Sequence, residues 1–266
     1  LKSFSPSARL DAEILLAHYL GKPRSYLYTW PEKTLEQQQV ESFNHALSLR
    51  ASLYPIAYIT GYQEFWSLRL KVTPDVLVPR ADTELLVEVA LEKIKHLKQP
   101  KILDLGTGSG AISFALATER LDSKIIATDY SKAALDVATE NQQALGINNI
   151  RFIESNWFAN IPTQTFDVII SNPPYIDPDD THLTQGIRHE PLQALTAENH
   201  GLHDLEHIIS NASSFLNDQG WLMLEHGYDQ GKQVSSLLTR AAYQEVSCLT
   251  DLNGNDRINV GLKASL

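Results

Sequence analysis

A chain of 266 residues, of which 43% are hydrophobic, is long enough to form one large domain and a second, small one. Its formal charge of −10 argues against a broad nucleic-acid-binding face, because such faces hold phosphates with clustered Lys and Arg. The sequence has neither an apolar run of bilayer-spanning length nor an apolar signal-peptide core near its N-terminus, so we expect a cytoplasmic protein.

The N-terminal part of the chain has the spacing of short helices. Apolar side chains recur at helical intervals as far as Gly21, a residue typical of a helix end. Thr34 followed by Gln37 matches a capping box, which predicts a second helix that runs to about residue 52. We therefore predict a small helical domain over residues 1–60, which would recognise a substrate.

Residues 61–79 favour β structure instead. The segments Phe65–Val72 and Val76–Val78 are rich in residues that prefer strands, and Thr73-Pro74-Asp75 between them has the composition of a turn. This pattern predicts a β-hairpin that links the helical domain to the rest of the chain.

Beyond residue 79, short apolar strands alternate with amphipathic helices. Such alternation specifies a parallel sheet with helices on both faces, and two final strands suggest an antiparallel edge. We therefore predict an α/β domain over residues 80–266. The predicted strands are 101–105, 124–128, 150–153, 166–170, 221–225, 245–249 and 257–262, and the predicted helices are 111–118, 132–145, 205–216 and 233–241.

A glycine-rich segment joins the first of these strands to the next helix. Its spacing, Gly-x-Gly-x-Gly, differs from the Gly-x-Gly-x-x-Gly that holds a dinucleotide pyrophosphate, which favours a nucleoside without phosphates. Asp104, at the end of the strand, would face a cationic group of that ligand. A glycine turn with a purely structural role would have the same spacing. The candidate binding residues are Asp104, Gly106, Thr107, Gly108, Ser109 and Gly110.

The next two strands end in further candidates for nucleoside binding. Asp129 ends the second strand, where an acidic residue commonly accepts hydrogen bonds from both ribose hydroxyls, and Ser131 would cap the following helix. After the third strand, Trp157 can stack on a base while Asn156 bonds to the edge of that base. A loop tryptophan that only packs on the core is the alternative.

The fourth strand runs directly into Asn172-Pro173-Pro174-Tyr175. A planar amide or amino nitrogen is a poor nucleophile, so an enzyme must hold both of its N–H bonds and aim the nitrogen at an electrophile. The Asn172 side-chain oxygen can accept one N–H and the Pro173 carbonyl oxygen the other, while Pro174 stiffens the loop and Tyr175 packs on the flat group. We predict these four residues as the catalytic and substrate-binding loop.

Other catalytic chemistry finds little support. His203 and His207 lie four residues apart, but Asp204 occupies the position where the metalloprotease motif has glutamate, and we expect no metal. The single cysteine, Cys248, allows neither an internal disulfide nor a cysteine-based zinc site.

The chain resembles the bacterial glutamine N5-methyltransferases of the HemK or PrmC type, which modify peptide chain release factors. The resemblance covers nearly the whole length. It is carried by Gly61–Trp66, Leu77–Glu84, Asp104–Gly110, Asp129, Trp157-Phe158, Ser171–Ile176, Glu190-Pro191-Leu192, Leu224–Gly227 and Asn255-Asp256-Arg257.

The resemblance implies a fold, a cofactor and a reaction. The family fold is a small helical domain joined by a β-hairpin to a seven-stranded, Rossmann-like methyltransferase domain. The implied cofactor is S-adenosylmethionine, bound by Gly106–Gly110, Asp129, Trp157 and Asn172 and converted to S-adenosylhomocysteine. The implied reaction methylates N5 of the glutamine in the Gly-Gly-Gln motif of class I release factors, which Asn172–Tyr175 would hold.

This chain departs from the family pattern at three places. Asn156 stands where the family usually has aspartate before the tryptophan, and Ala81 stands where proline commonly follows the arginine. The segment Gly186–Pro191 is one residue shorter than its family counterpart. Two alternative substrates remain: a glutamine of a ribosomal protein, or an exocyclic amine of a nucleic acid. The charge makes direct, sequence-specific nucleic-acid binding unexpected, and a non-catalytic binding protein would have no need of the complete set of motifs.

Overall fold

The computed structural model describes Ser5, residues 7–184 and residues 187–265. The chain forms two compact units: one within Leu1–Tyr62 and Thr181–His189, the other within Gln63–Asp180 and Glu190–Leu266. None of the helices within these described ranges is long and apolar enough to cross a membrane.

The first unit is helical. Its helices are α1 (Ala8–Leu20), α2 (Ser25–Thr29), α3 (Gln37–Ala51) and α4 (Ile56–Thr60). Gly21 ends α1 with a left-handed backbone, as predicted. The side chains of α1 and α3 meet where Arg50 Nε donates to Asp11 Oδ2 at 2.8 Å, and the carboxylate is buried.

The predicted capping box of α3 is wrong by two residues. Glu36, not Thr34, precedes the helix: its side chain accepts from the third helical residue, and its backbone N–H donates to Gln39 Oε1 at 3.0 Å. Both positions have a glutamine three residues later, but only Thr34 has the hydroxyl residue of the usual pattern. A carboxylate at Glu36 interacts favourably with the positive end of the helix, which a threonine hydroxyl does not match.

A β-hairpin begins the second part of the chain, with β1 (Tyr62–Phe65) and β2 (Leu68–Lys71). Its turn lies at Trp66-Ser67 rather than at Thr73-Pro74-Asp75, and no strand covers 76–78, so the predicted strand bounds are wrong. The two turn residues both have positive φ, 51° and 59°. A two-residue turn of this hand matches the twist of the hairpin, although neither residue is the usual Asn or Gly.

The second unit contains a seven-stranded sheet, which confirms the predicted fold class. The strands are β3 (Lys101–Leu105), β4 (Lys124–Asp129), β5 (Ile150–Glu154), β6 (Phe166–Ser171), β7 (Leu216–Glu225), β8 (Gln244–Thr250) and β9 (Asp256–Leu262). Their order is β5-β4-β3-β6-β7-β9-β8, with β3 to β7 parallel and β9 antiparallel to both neighbours.

Helices cover both faces of this sheet. They are α5 (Glu84–Ile94), α6 (Ala111–Glu119), α7 (Lys132–Leu145), α8 (Glu198–Gly201), α9 (His203–Ala212) and α10 (Gly231–Arg240). Successive residues of β3 point to opposite faces: Ile102 packs with Leu86 of α5 and Phe114 of α6, and Leu103 packs in the cluster that holds Leu205 of α9.

The topology positions a site at one edge of the sheet. From β3 the chain proceeds outward to β4 and β5, then returns to place β6 on the other side of β3. The carboxyl ends of β3, β4 and β6 align there, with Leu105 paired to both Thr128 and Ser171. Ligands of open α/β sheets bind in the crevice at such a change of direction.

Candidate active site

A cavity of about 420 Å³ lies at this edge of the sheet. Its walls come from residues that follow β3, β4, β5 and β6, together with the segment after the hairpin and part of α9. Of the residues predicted from sequence, the structure brings together Gly106, Gly108, Asp129, Asn156, Trp157, Asn172 and Pro174 in the lining. The lining does not include the predicted residues Asp104, Thr107, Ser109, Gly110, Pro173 and Tyr175.

The glycine loop has the backbone that its composition predicts. Gly106, Gly108 and Gly110 all have positive φ. A Cβ atom on Gly106 would lie 3.6 Å from the Trp157 ring, so the loop and that ring approach closely. The Thr107 N–H donates to the Thr128 carbonyl oxygen at 2.8 Å, which fixes the loop to the end of β4.

Asp104 lies beneath the glycine loop. It is completely buried, and its Oδ2 accepts hydrogen bonds from the hydroxyls of Thr107 and Ser113, both at 2.7 Å. Its Oδ1 is buried without a hydrogen-bond partner among the described residues. Burial raises the pKa of Asp104 to about 6, although the two hydroxyls oppose that shift. Asp104 therefore braces the loop, and its predicted contact with a ligand stays a prediction.

Asp129 ends β4 and lines the cavity. Its Oδ2 accepts from the Gly108 N–H and its Oδ1 from the Ser131 N–H, both at 2.8 Å. Burial raises the pKa of Asp129, while these backbone donors lower it. Ser131 caps α7 as predicted, because its side chain accepts from the Ala134 N–H.

Asn156 and Trp157 form a tight turn after β5. The hydroxyl of Ser155 donates to the Trp157 carbonyl oxygen at 2.8 Å and accepts from the Asn160 N–H at 3.0 Å. Trp157 has a left-handed backbone with φ of 47°. Its indole packs partly on the core beneath β3 and β4 and reaches Asp204 of α9. Burial raises the pKa of Asp204, whereas a hydrogen bond from this indole lowers it.

The loop Asn172–Tyr175 leaves β6 at the same edge. Asn172 Nδ2 donates to the hydroxyl oxygen of Thr83 at 3.2 Å. The Tyr175 N–H donates to the Leu195 carbonyl oxygen at 3.2 Å, and the Tyr175 hydroxyl donates to Glu225 Oε1, also at 3.2 Å. The loop is thus held at both ends, and Asn172 shares one cavity with Gly108 and Asp129.

A buried ionisable group lies behind the loop. Glu225, at the end of β7, is 1% exposed. Burial raises its pKa to about 7, whereas the hydroxyls of Thr83 and Tyr175 and the charge of Arg257 lower it. Burial likewise raises the pKa of the Tyr175 hydroxyl. Sequence reasoning noted the segments of Glu225 and Arg257 but assigned them no role.

The charge of the cavity lining is one-sided. Among its described residues, three are aspartates, Asp75, Asp129 and Asp204, and none is Lys, Arg or His. An acidic lining attracts cations and repels phosphates. Sequence reasoning missed Asp75 as a site residue and treated Asp204 only as a departure from a metal motif. No local pattern marks either residue, because each reaches the cavity through the tertiary fold.

The three departures from the family pattern have different settings. Asn156 lies in the cavity wall, and Ala81 begins a 3-10 turn, Ala81–Thr83, that leads into α5. Arg80 keeps an ion pair in which its Nη2 lies 2.5 Å from Glu190 Oε1. Gly186 lies outside the described residues. The described residues contain no group of three or more His, Cys, Asp or Glu side chains arranged to hold a metal.

Comparison with known proteins gives two family matches and many close relatives. A family described as "Methyltransferase domain" matches residues 96–257, and one described as "PrmC N-terminal domain" matches residues 1–61. The release factor glutamine methyltransferase of Aliivibrio fischeri is 48% identical over 259 residues, covering 97% of this chain and 91% of the relative. That of Escherichia coli is 46% identical, covering 97% and 93%.

Solved structures of more distant proteins share the fold. A methyltransferase from Pyrococcus furiosus matches with a TM-score of 0.56 at 17% identity, covering 84% of this chain and all of the other. The 16S rRNA N2 G1207 methyltransferase of Thermus thermophilus, solved with S-adenosylmethionine and guanosine, also has a TM-score of 0.56, at 16% identity, covering 76% of this chain and 49% of the other. At this level of identity the likeness concerns the fold alone.

Proposed function

Because the chain belongs to the family of release factor glutamine methyltransferases, we propose that it methylates the side-chain amide nitrogen, N5, of the glutamine in the Gly-Gly-Gln motif of class I peptide chain release factors. The methyl donor is S-adenosylmethionine, and the product is S-adenosylhomocysteine. One observation carries the proposal: Asn172 opens into the same cavity as the glycine loop and Asp129, so an acceptor nitrogen and a bound nucleoside can meet there.

The residues of the cavity suit this cofactor. It supplies a methyl group bonded to a positively charged sulfur, and its amino acid end carries an ammonium group. The acidic lining without Lys or Arg favours such a cation, and the unpartnered Oδ1 of Asp104 is an acceptor suited to the ammonium. Asp129 would accept from the ribose hydroxyls, Trp157 would stack on the adenine, and Asn156 would bond to its edge.

The acceptor loop acts by holding the substrate amide. Asn172 Oδ1 accepts one N–H of the glutamine side chain, and the Pro173 carbonyl oxygen accepts the other. Both oxygens carry partial negative charge, so they stabilise the positive charge that develops on nitrogen as the methyl is transferred. The amide proton becomes acidic only then, so water can remove it and no general base is needed beforehand. This scheme assigns no step to a histidine or to a metal.

The experiment that tests the function is transfer of a labelled methyl group from S-adenosylmethionine to a purified class I release factor. Label should appear in the wild-type factor and be absent from a factor whose Gly-Gly-Gln glutamine is changed to Ala. Duplex DNA and ribosomal proteins serve as alternative acceptors. Label in either of these but none in the release factor would refute the proposal.

A further inference from the structure

The acceptor mechanism depends on which way the Asn172 amide is turned. Its oxygen and nitrogen ends have nearly the same shape, so packing alone discriminates poorly between them, and hydrogen bonds must decide. With the oxygen toward the substrate, the amide accepts an N–H. With the nitrogen there, two N–H groups face each other. Asn172 Nδ2 lies 3.2 Å from the hydroxyl oxygen of Thr83, which accepts its hydrogen and leaves Oδ1 as the end turned to the acceptor.

Thr83 is placed unusually for a helix-capping residue. It precedes α5, a position where threonine usually accepts a hydrogen bond from the first turn of the helix. Its side chain makes no such bond here, and the residue is only 4% exposed. Its backbone N–H donates to the Arg80 carbonyl oxygen at 3.2 Å. The hydroxyl is therefore buried at this position but does not cap α5.

A second buried side chain gives the Thr83 hydroxyl a direction. Glu225 Oε1 accepts from the Tyr175 hydroxyl, whereas Oε2 makes no hydrogen bond of normal geometry with the described residues. Thr83 is the neighbouring hydroxyl that interacts with this carboxylate and lowers its pKa. Above about pH 7, where Glu225 is mainly ionised, its carboxylate only accepts hydrogen bonds. The buried Oε2 is therefore the acceptor open to the Thr83 hydrogen, and donation to it leaves the Thr83 lone pair for Asn172.

We propose that Thr83 is a positioning residue, which turns the oxygen of the Asn172 amide toward the acceptor nitrogen, and that Glu225 acts through Thr83 by fixing the direction of its hydroxyl. This inference rests on the proposed function. It adds to that function a chain of three side chains, Glu225, Thr83 and Asn172, which come from β7, the start of α5 and the end of β6.

The test compares two substitutions of Thr83. Thr83→Val keeps the branched shape and removes the hydroxyl, whereas Thr83→Ser keeps the hydroxyl and removes a methyl group. We expect Thr83→Val to lower the single-turnover rate of release-factor methylation about 10- to 100-fold, the range for loss of a polar group that aligns a reacting centre. KM for the release factor and the affinity for S-adenosylhomocysteine should stay within about twofold, and Thr83→Ser should retain most of the rate.

Thermal unfolding of each variant separates an effect on positioning from an effect on folding. Thr139→Val in α7 controls for the loss of a half-buried threonine hydroxyl outside the cavity lining. A double-mutant cycle tests Glu225: the rate of Thr83→Val/Glu225→Gln should equal that of Thr83→Val alone. The glutamine oxygen can still accept from the Tyr175 hydroxyl, so the change removes chiefly the effect that passes through Thr83. A Thr83→Val enzyme at wild-type rate, a Thr83→Ser enzyme as slow as Thr83→Val, or additive losses in the cycle would overturn the inference. Wild-type protein that transfers nothing to the release factor would instead refute the proposed function.

Discussion

Two carboxylates beneath the active site combine burial with a raised pKa. Asp104 has a pKa of about 6 and Glu225 one of about 7, in both cases chiefly because burial disfavours the charged form. Each retains one oxygen without a hydrogen-bond partner among the described residues. Both groups therefore change charge in a pH range that is accessible to experiments on the folded protein.

Cofactor affinity should depend on the protonation of Asp104. The proposed ammonium contact needs the ionised carboxylate, so binding of S-adenosylhomocysteine, which carries the same ammonium, should weaken as the pH falls through about 6. A single titrating group changes the affinity by at most about tenfold per pH unit. Isothermal titration calorimetry at pH 7 and pH 5 measures the change.

Asp104→Asn is the control for that experiment. The variant should bind more weakly at pH 7 and show a smaller pH dependence, with the remainder due to Asp129 and Asp204, whose pKa values burial also raises. If the variant shows the same pH dependence as the wild type, Asp104 does not contact the ammonium.

Individual site residues differ in how well the sequence could predict them. Asp129 ends one strand and Asn172 directly follows another, so the parallel-sheet pattern was enough to predict that they share one cavity. Asp75 and Asp204 line the same cavity, yet they come from a segment after the hairpin and from α9, with no motif of their own. Thr83 belongs to a noted motif, but its bond to Asn172 spans 89 residues of sequence, and only the fold reveals it.

At the scale of elements, most strands and helices of the sheet were predictable, but α5, the start of β7 and the turns were not. The helix predicted over 205–216 ends at Ala212, and the strand predicted over 221–225 begins at Leu216. The apolar runs of β3 and β4 are short and flanked by polar residues, so their period and length identify them. The hairpin turn at Trp66-Ser67 carries neither Gly nor Asn, and the more conspicuous Thr73-Pro74-Asp75 was chosen instead. The position of the turn depends on backbone twist and on the burial of Phe65 and Leu70. Neither can be read from the composition of the segment.

The glycine loop makes a prediction about stability. A Cβ on Gly110, where φ is 88°, would lie 2.3 Å from the Phe114 ring, whereas a Cβ on Gly146, where φ is 68°, would meet nothing within 4 Å. Both alanine variants suffer left-handed strain of roughly 1 kcal/mol. Gly110→Ala should lower the free energy of unfolding by about 1 to 3 kcal/mol more than Gly146→Ala, because Phe114 must also move. Urea unfolding measures both, and equal losses would contradict the packing described for this loop.

At the scale of the whole molecule, Glu225 should make folding stability depend on pH. Its folded pKa of about 7 exceeds the ordinary value of 4.5, so its contribution is fully present below pH 4.5 and is lost as the pH rises through about 7. Glu225→Gln removes this loss. When the pH rises from 5 to 8, the free energy of unfolding of the variant should therefore increase relative to that of the wild type by on the order of 1 to 3 kcal/mol.

Urea unfolding at the two pH values checks this expectation, with Glu88→Gln on the exposed side of α5 as the control. The control should follow the wild type at both values. A Glu225→Gln protein whose stability relative to wild type is the same at pH 5 and pH 8 would show that Glu225 is not protonated on folding.

A parallel sheet with an antiparallel edge was foreseeable, since helices separate most successive strands and none separates the last two. The order of the strands was not predicted. Nor was the grouping of Thr181–His189 with the first unit. It depends on contacts between residues far apart in sequence, such as the hydrogen bond from Arg188 Nη2 to the Ser52 carbonyl oxygen at 2.5 Å. Nothing in the composition of either segment indicates that pairing.

The central claim is that the Asn172 amide activates a glutamine side chain for methylation. A whole-protein substrate spreads its binding over a large surface, so one short side chain contributes little to association. At the reacting nitrogen the same side chain acts mainly on the transition state. Asn172→Ala should therefore lose far more in rate than in release-factor affinity, and Asn211→Ala on the exposed surface of α9 should lose neither.

The most direct test is single-turnover methylation of a class I release factor by wild type and Asn172→Ala, with binding of the factor measured in parallel. We predict a rate about 100- to 1000-fold lower for Asn172→Ala. Release-factor affinity should stay within about threefold of wild type. Methylation by Asn172→Ala at near wild-type rate would contradict the account.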